Sequence, residues 1–187
     1  MSIRSAILGF LSWKPFTGYE LKKLFADSLS FHWSGNNNQI YGTLVKLHAE
    51  GRVAIEVQQQ EKRPARKIYT ITESGREELR SWLLTEPELP EVRNLFQLRL
   101  AWAENLGGAE LEHAIEEYTR LLEGQILMCR ERARRGSETP ARSPREVLIW
   151  SRIEENRIEG FERELEWLRA LATELSALDR GKSRGRR

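Results

Sequence analysis

The chain has 187 residues, 40% hydrophobic and 31% charged, which suits one or two small domains with their own cores. It contains no run of about 18 apolar residues, which argues against a membrane-spanning helix. Cys129 is the only cysteine, which excludes an internal disulfide, and no Cys/His cluster has metal-ligand spacing.

The net charge of +2 is unevenly spread. Residues 1–85 carry 12 Lys+Arg against 8 Asp+Glu, and residues 86–179 carry 13 against 20. The last eight residues, RGKSRGRR, add 5 cations and no acid. A basic first part joined to an acidic second part assigns contact with a polyanion to the first. A reducing cytoplasm is the expected setting for a chain with one thiol.

The opening stretch, MSIRSAILGFLSWKPF, has one early arginine and an apolar run that Trp13-Lys14-Pro15 interrupts. It lacks a small-residue cleavage site and does not read as a secretory leader. Ile3, Ala6, Ile7 and Phe10 recur at helical spacing and predict a helix from Ile3 to Leu11. Thr17 is placed to cap a second helix from Gly18 to Asp27, with Leu21, Leu24 and Phe25 inward. The connection SLSFHWSG leads to NNNQIYGTLVKLHAEGRV, residues 36–53, where Ile40, Leu44 and Leu47 face inward and Gly51 is the left-handed stop.

The period then changes from helical to alternating. Val53, Ile55 and Val57 alternate with polar residues, QQQEKRPAR interrupts, and Tyr69 and Ile71 alternate again. This predicts a β-hairpin with a long, basic tip. Thr72 should cap a helix from Glu73 to Leu84 that turns Leu79, Trp82 and Leu83 inward. The order helix, helix, helix, strand, strand, helix is that of a winged helix-turn-helix unit, residues 1–85.

EPELP opens a linker over residues 86–91. Residues 92–180 read as a helical dimerisation domain: helices from Val92 to Asn105, from Ala109 to Arg135, and from Pro144 to about Asp179. Ser143, Pro144 and Glu146 start the last one as N-cap, first-turn proline and capping-box acid. Ile158, Phe161, Leu165, Leu168, Ala172 and Leu175 step by three and four along it, a coiled-coil-like seam. Such a helix is roughly 50 Å long, and its stripe predicts a second copy of the chain, hence a homodimer. Residues 181–187 read as a basic disordered tail. It is either a non-specific nucleic-acid arm or solubilising charge. The fold class is mainly α with a small β-hairpin.

The third helix has an unusual outer face. Opposite Ile40, Leu44 and Leu47 lie Asn38, Gly42, Val45, Lys46 and Ala49, with Gln39 and Tyr41 on the flanks and Asn37 at the start. No acid occurs between Asn36 and Ala49. Asn and Gln pair with adenine edges, Val or Ala touches a thymine methyl, and Lys46 reaches phosphate or guanine. Gly42 should cost the helix about 1 kcal/mol relative to alanine, but a missing side chain lets the backbone approach a groove. Asn36 and Gln39 also form a capping-box pattern, a purely structural use.

The wing tip carries Lys62, Arg63, Arg66 and Lys67 without an acid, suited to phosphates beside the groove. The same charges also protect a hairpin from edge pairing. The partner this predicts is double-stranded operator DNA.

The six tryptophans, Trp13, Trp33, Trp82, Trp102, Trp150 and Trp167, are assigned first to core and dimer packing. Phe96, Trp102 and Trp150 are candidate faces for a small aromatic effector. His32, His48 and His113 are isolated. No Walker-type loop, G-x-S-x-G or paired catalytic carboxylate appears, so neither enzyme activity nor a cofactor is expected. A contrasting reading is a winged-helix protein–protein assembly module without specific DNA binding.

Three segments, GFLSWKPFTGYELKKLF, QIYGTLVKLHAEGRV and RKIYTITESGREELRSWL, resemble the PadR-like transcriptional regulators. That family carries a GYE start, a Q-I-Y-P-x-L recognition region and K-x-Y-x-(I/L)-T-x-x-G after the wing. The second half is similar in layout to the longer members, including the virulence-activator branch. The resemblance implies a dimeric winged-helix regulator of operator DNA and, in many relatives, repression relieved by a small aromatic or hydrophobic effector. Tyr41 takes the place of the family's recognition-helix tyrosine. Gly42 stands where proline is common, and Val45-Lys46 where two basic residues are frequent, so no operator sequence is implied.

Overall fold

The computed structural model describes residues 3–27, 37–60, 63–89, 94–135 and 140–184. The chain divides into two compact units, Met1–Leu89 and Pro90–Arg187.

The first unit runs α1 (Ile3–Leu11), β1 (Phe16–Thr17), α2 (Gly18–Asp27), α3 (Asn37–Ala49), β2 (Val53–Gln60), β3 (Arg63–Ile71) and α4 (Glu73–Leu83). Its core joins Ile7, Leu8 and Leu11 of α1, Leu21 and Phe25 of α2, and Ile40, Leu44 and Leu47 of α3, closed by Val53, Tyr69 and Ile71 of the sheet. Phe10 sits edge-on to both Trp13 and Phe25, at 5.0 Å between ring centroids in each case. The inward stripes of α2 and α3 are those that helical spacing predicts.

Gly51 ends α3 in the left-handed region at φ 70°. Its N–H donates to the His48 carbonyl, and the Arg52 N–H donates to the Leu47 carbonyl, so the last carbonyls of the helix are satisfied. The next residues enter β2 directly.

The sheet is three-stranded and antiparallel, in the order β1-β3-β2. β1, with two residues, is too short to carry a periodicity in the sequence. The hairpin also differs from expectation. Gln58 pairs with Arg66 and Gln60 with Arg63, with an irregularity between, so strand pairing continues through most of QQQEKRPAR. The expected long tip is therefore largely ladder. Pro64 is tolerated because β1 reaches only Ile68 and Tyr69, leaving that side of β3 as an edge.

In α4, the Thr72 hydroxyl caps the helix by accepting from the Gly75 N–H at 3.1 Å. Leu79 packs against the core as expected. Trp82 and Leu83 do not: both lie on the surface, one turn past the point where the core ends.

The second unit contains α5 (Leu95–Ala101), a 3-10 turn at Ala103–Asn105, α6 (Gly108–Arg135) and α7 (Pro144–Arg184). The Asn94 side chain caps α5 at the N–H groups of Phe96 and Gln97. The Ser143 hydroxyl accepts from the Glu146 N–H at 3.1 Å, the cap predicted for α7. α7 continues to Arg184, taking in part of the segment expected as a tail. Residues 185–187 lie outside the described residues.

The α7 seam has a different cover from the one expected. Leu165 and Leu168, with Phe161, Ala172 and Leu175 beside them, pack on Ile115, Leu122 and Ile126 of α6 in the same chain. The pairs Arg130–Glu162 and Arg169–Glu123 flank this contact and give the two helices an antiparallel run. A 28-residue α6 is long enough to cover the stripe, so the seam itself does not require a second chain. Cys129 is buried on α6.

Candidate nucleic-acid interface

The outer face of α3 is built from what its core residues leave free. With Ile40, Leu44 and Leu47 buried, Asn38, Gln39, Tyr41, Gly42, Val45, Lys46 and Ala49 are all exposed. Val45 is 64% exposed, high for a branched apolar side chain in a small domain. Asn37 opens the helix; its side chain, like Asn36, His32 and Trp33, lies outside the described residues.

Gly42 is not demanded by the fold: a Cβ there would meet nothing within 4 Å. Gly18 is the opposite case. A Cβ on it would come 2.5 Å from Cε1 of Tyr41, so the tyrosine ring lies directly on the backbone that starts α2. Tyr41 is nonetheless 44% exposed, leaving part of the ring outward. At the other end of α3, His48 Nδ1 is 2.9 Å from the Val53 carbonyl oxygen, tying helix to wing. That contact gives His48 a structural role.

The wing residues fall into three groups. Lys67 is exposed on β3. Lys62 lies outside the described residues, and Arg63 begins β3 with its side chain outside them. Arg66 makes an ion pair with Glu20 of α2, at 2.7 Å from Oε1. Oε2 of the same carboxylate accepts from the Thr17 N–H and hydroxyl, each at 2.7 Å. Thr17 Oγ1 accepts from the Glu20 N–H in return, which completes a capping box. Burial alone would raise the Glu20 carboxyl, but the Thr17 bonds and the Arg66 guanidinium together hold it below its ordinary value.

Thr17, Gly18 and Glu20 thus join the residues that α3 and the wing contribute. Their signal was the T-x-x-E spacing within TGYE, which reads as a cap and says nothing of partners far along the chain.

A second electrostatic group braces the other end of the unit. Arg4 pairs with Glu50 and Glu78, and Arg52 with Glu78 at 3.1 Å. Thr72 and Ser74 hydroxyls both donate to the Gly51 carbonyl, and the Thr72 N–H donates to Arg52. Gly75 fits beneath them: a Cβ would come 2.2 Å from the Arg52 carbonyl oxygen.

The candidate effector aromatics do not share a described cavity. Phe96 stacks on Tyr118 at 4.0 Å and 15°, packed against the second core. Trp102 is 69% exposed after α5, and Trp150 is half-buried on α7. An open cleft at the start of α7 is lined by Arg142, Pro144, Val147, Leu148 and Ser151 and includes none of the three. Burial pushes the Tyr118 hydroxyl up to about 12, reinforced by its 2.8 Å bond to Glu164. Among the described residues, no group of His, Cys, Asp and Glu could hold a metal ion, and no helix is long and apolar enough to cross a membrane.

The family model described as the transcriptional regulator PadR-like family matches residues 7–81, from α1 through most of α4. The chain is 36% identical over 98 residues to the negative transcriptional regulator PadR of Bacillus subtilis (strain 168), covering 52% of this chain and 54% of that protein. The chain thus spans about half the length of that curated relative. The structure of Bacillus subtilis PadR in complex with operator DNA superposes with a TM-score of 0.82 at 24% identity, covering 92% of this chain and 98% of the other. PadR in complex with p-coumaric acid gives 0.76 at 24%, covering 93% and 98%. At that identity the likeness establishes the fold alone: a winged helix followed by a helical unit, mainly α with a small sheet.

Proposed function

We propose that the chain is a homodimeric, sequence-specific DNA-binding transcriptional regulator of the cytoplasm, and that it represses until a small aromatic or hydrophobic effector releases it. The observation that carries this reading is the outer face of α3. Seven exposed positions offer amide, phenol, apolar and ammonium groups, with no acid among them. Such a face matches the donor, acceptor and methyl pattern of a major groove. Asn38, Gln39, Tyr41, Val45 and Lys46 read the groove, with Asn37 at its edge, and Gly42 permits close approach. Lys62, Arg63 and Lys67 add phosphate contacts along the wing.

The dimer draws support from the apolar surface of the second unit. Leu95, Leu98, Leu121, Leu127, Leu148 and Ile149 are exposed there and offer apolar surface to a second copy. Two copies would place two α3 helices on half-sites about 34 Å apart. Effector release is then a population shift away from that spacing. The complex of Bacillus subtilis PadR with p-coumaric acid supports an aromatic ligand class, with Phe96, Trp102 and Trp150 as the stacking candidates.

The experiment is a salt titration of binding to the DNA flanking the chain's own coding region, against unrelated DNA of the same length. Sequence-selective binding with a steep salt slope is expected. Neutralising Lys62, Arg63 and Lys67 should flatten the slope by about 0.9 per lost contact. Equal affinity for both DNAs would reject the reading and leave the assembly-module alternative.

A further inference from the structure

Arg66 of β3 and Glu20 of α2 are 46 residues apart in the chain and joined by an exposed hydrogen-bonded ion pair. The carboxylate of Glu20 is divided between two tasks. Oε2 closes the capping box that starts α2, and Oε1 receives the Arg66 guanidinium at 2.7 Å. The position on β3 is equally specific. β1 pairs with β3 only at Ile68 and Tyr69. Arg66 lies two residues beyond, on the same face of the strand as Ile68, where the wing leaves the body. The ion pair is therefore the outermost described tether of β3 to α2. The residue after Thr17, Gly18, is the seat of the Tyr41 ring. One short segment, Thr17-Gly18-Tyr19-Glu20, thus contacts both the recognition helix and the wing.

We propose that Glu20 is a positioning residue of the DNA interface. Through Arg66 it sets the wing relative to α2 and α3, and the Arg66 charge is spent on this latch and not on a phosphate. The proposal rests on the DNA-binding reading for its consequence, while the latch itself belongs to the free protein. A wing held at fixed distance from the recognition helix delivers Lys67 to the backbone without an ordering cost at binding.

The test uses the full chain with Glu20→Gln, Arg66→Gln and the double variant. Glutamine at position 20 retains an acceptor for the capping box, so the start of α2 is preserved while the ion pair is lost. In the free protein, amide hydrogen exchange should quicken from Val57 to Ile68 in both single variants, and no further in the double. On DNA flanking the gene, both singles should bind about two- to fivefold more weakly, the range open to a half-exposed pair. The double should match either single, and the salt slope should not move.

If Arg66 instead touches a phosphate, Arg66→Gln lowers the slope by about 0.9 and Glu20→Gln tightens binding by freeing the guanidinium. Either result overturns the proposal, as does unchanged wing exchange in both singles. If the unaltered chain shows no selective DNA binding, the functional reading fails on its own, and the exchange measurement still decides the latch.

Discussion

The ring of Tyr41 rests on the backbone of Gly18, where a Cβ would intrude to 2.5 Å from Cε1. The contact joins the first turn of α2 to the outward face of α3 and fixes which part of the tyrosine remains exposed. It explains why a glycine, a poor helix former, begins α2.

Gly18→Ala should therefore shift the Tyr41 ring while leaving the hydrophobic core untouched. The expected result is a change in thermal stability within about 1 kcal/mol, since a better helix former offsets part of the clash. Affinity for the cognate DNA should fall about fivefold or more, as a displaced base or phosphate contact costs about 1–3 kcal/mol. Fluorimetric melting and a binding isotherm on the same preparation separate the two effects.

Gly42 tests the opposite situation. A Cβ there meets open space, so Gly42→Ala should raise stability by about 1 kcal/mol. In a domain of this size that is about 4–8 °C in melting temperature. DNA binding should weaken in the same variant if the α3 backbone sits close to the groove. A stabilised protein with undiminished affinity would remove close approach as the reason for this glycine.

Much of this arrangement was legible in the sequence, for identifiable reasons. Buried stripes repeat, so Leu21, Leu24 and Phe25, then Ile40, Leu44 and Leu47, declare their helices and their inward faces. The left-handed stop at Gly51 and the Thr72 cap are local chemistry and were equally readable. The distal wing was not: both of its faces meet solvent, so β2 and β3 lose alternation after Val57, and polar strand looks like loop. Helical periodicity also names a face without naming what covers it, which is why the α7 seam pointed to a second chain when α6 supplies the cover. Glu20–Arg66 and Gly18–Tyr41 are contacts across the fold, and a single sequence carries no signal of such pairs.

Gly75 should be among the least replaceable positions of the first unit. Its missing Cβ would lie 2.2 Å from the Arg52 carbonyl oxygen and 2.9 Å from Ile71 Cγ1, and a backbone oxygen cannot turn aside as a side chain does. The same carbonyl accepts from the Thr72 N–H, so moving it breaks the junction of α3, sheet and α4. Gly75→Ala is expected to cost about 1–3 kcal/mol, measured by denaturant unfolding. Ser74→Ala, which loses the hydroxyl's bond to the Gly51 carbonyl and its 3.0 Å contact with the Thr72 hydroxyl but moves no backbone, should cost less.

The Arg4–Glu50–Glu78–Arg52 group gives the first unit a pH dependence whose sign follows from Glu78. The hydrogen bond from Arg4 holds this carboxyl below its ordinary value, against the opposing effect of burial, and Arg52 adds to the lowering. Arg4 itself is raised, chiefly by its bond to Glu78, and stays charged throughout. A depressed carboxylate stabilises the fold above its unfolded value of about 4.3, and that contribution disappears as the pH falls through the folded value. Glu78→Gln should therefore cost about 1–2 kcal/mol at neutral pH, the worth of a partly buried charged hydrogen bond. The deficit should shrink steadily below about pH 4 as the original carboxylate protonates. Glu20→Gln should show the same convergence on a smaller scale, because its partner Arg66 is more open to solvent than Arg4. Melting curves of the three proteins from neutral pH down to about pH 3 measure this; a gap between parent and Glu78→Gln that stays constant with pH would show that Glu78 is not held ionised by Arg4.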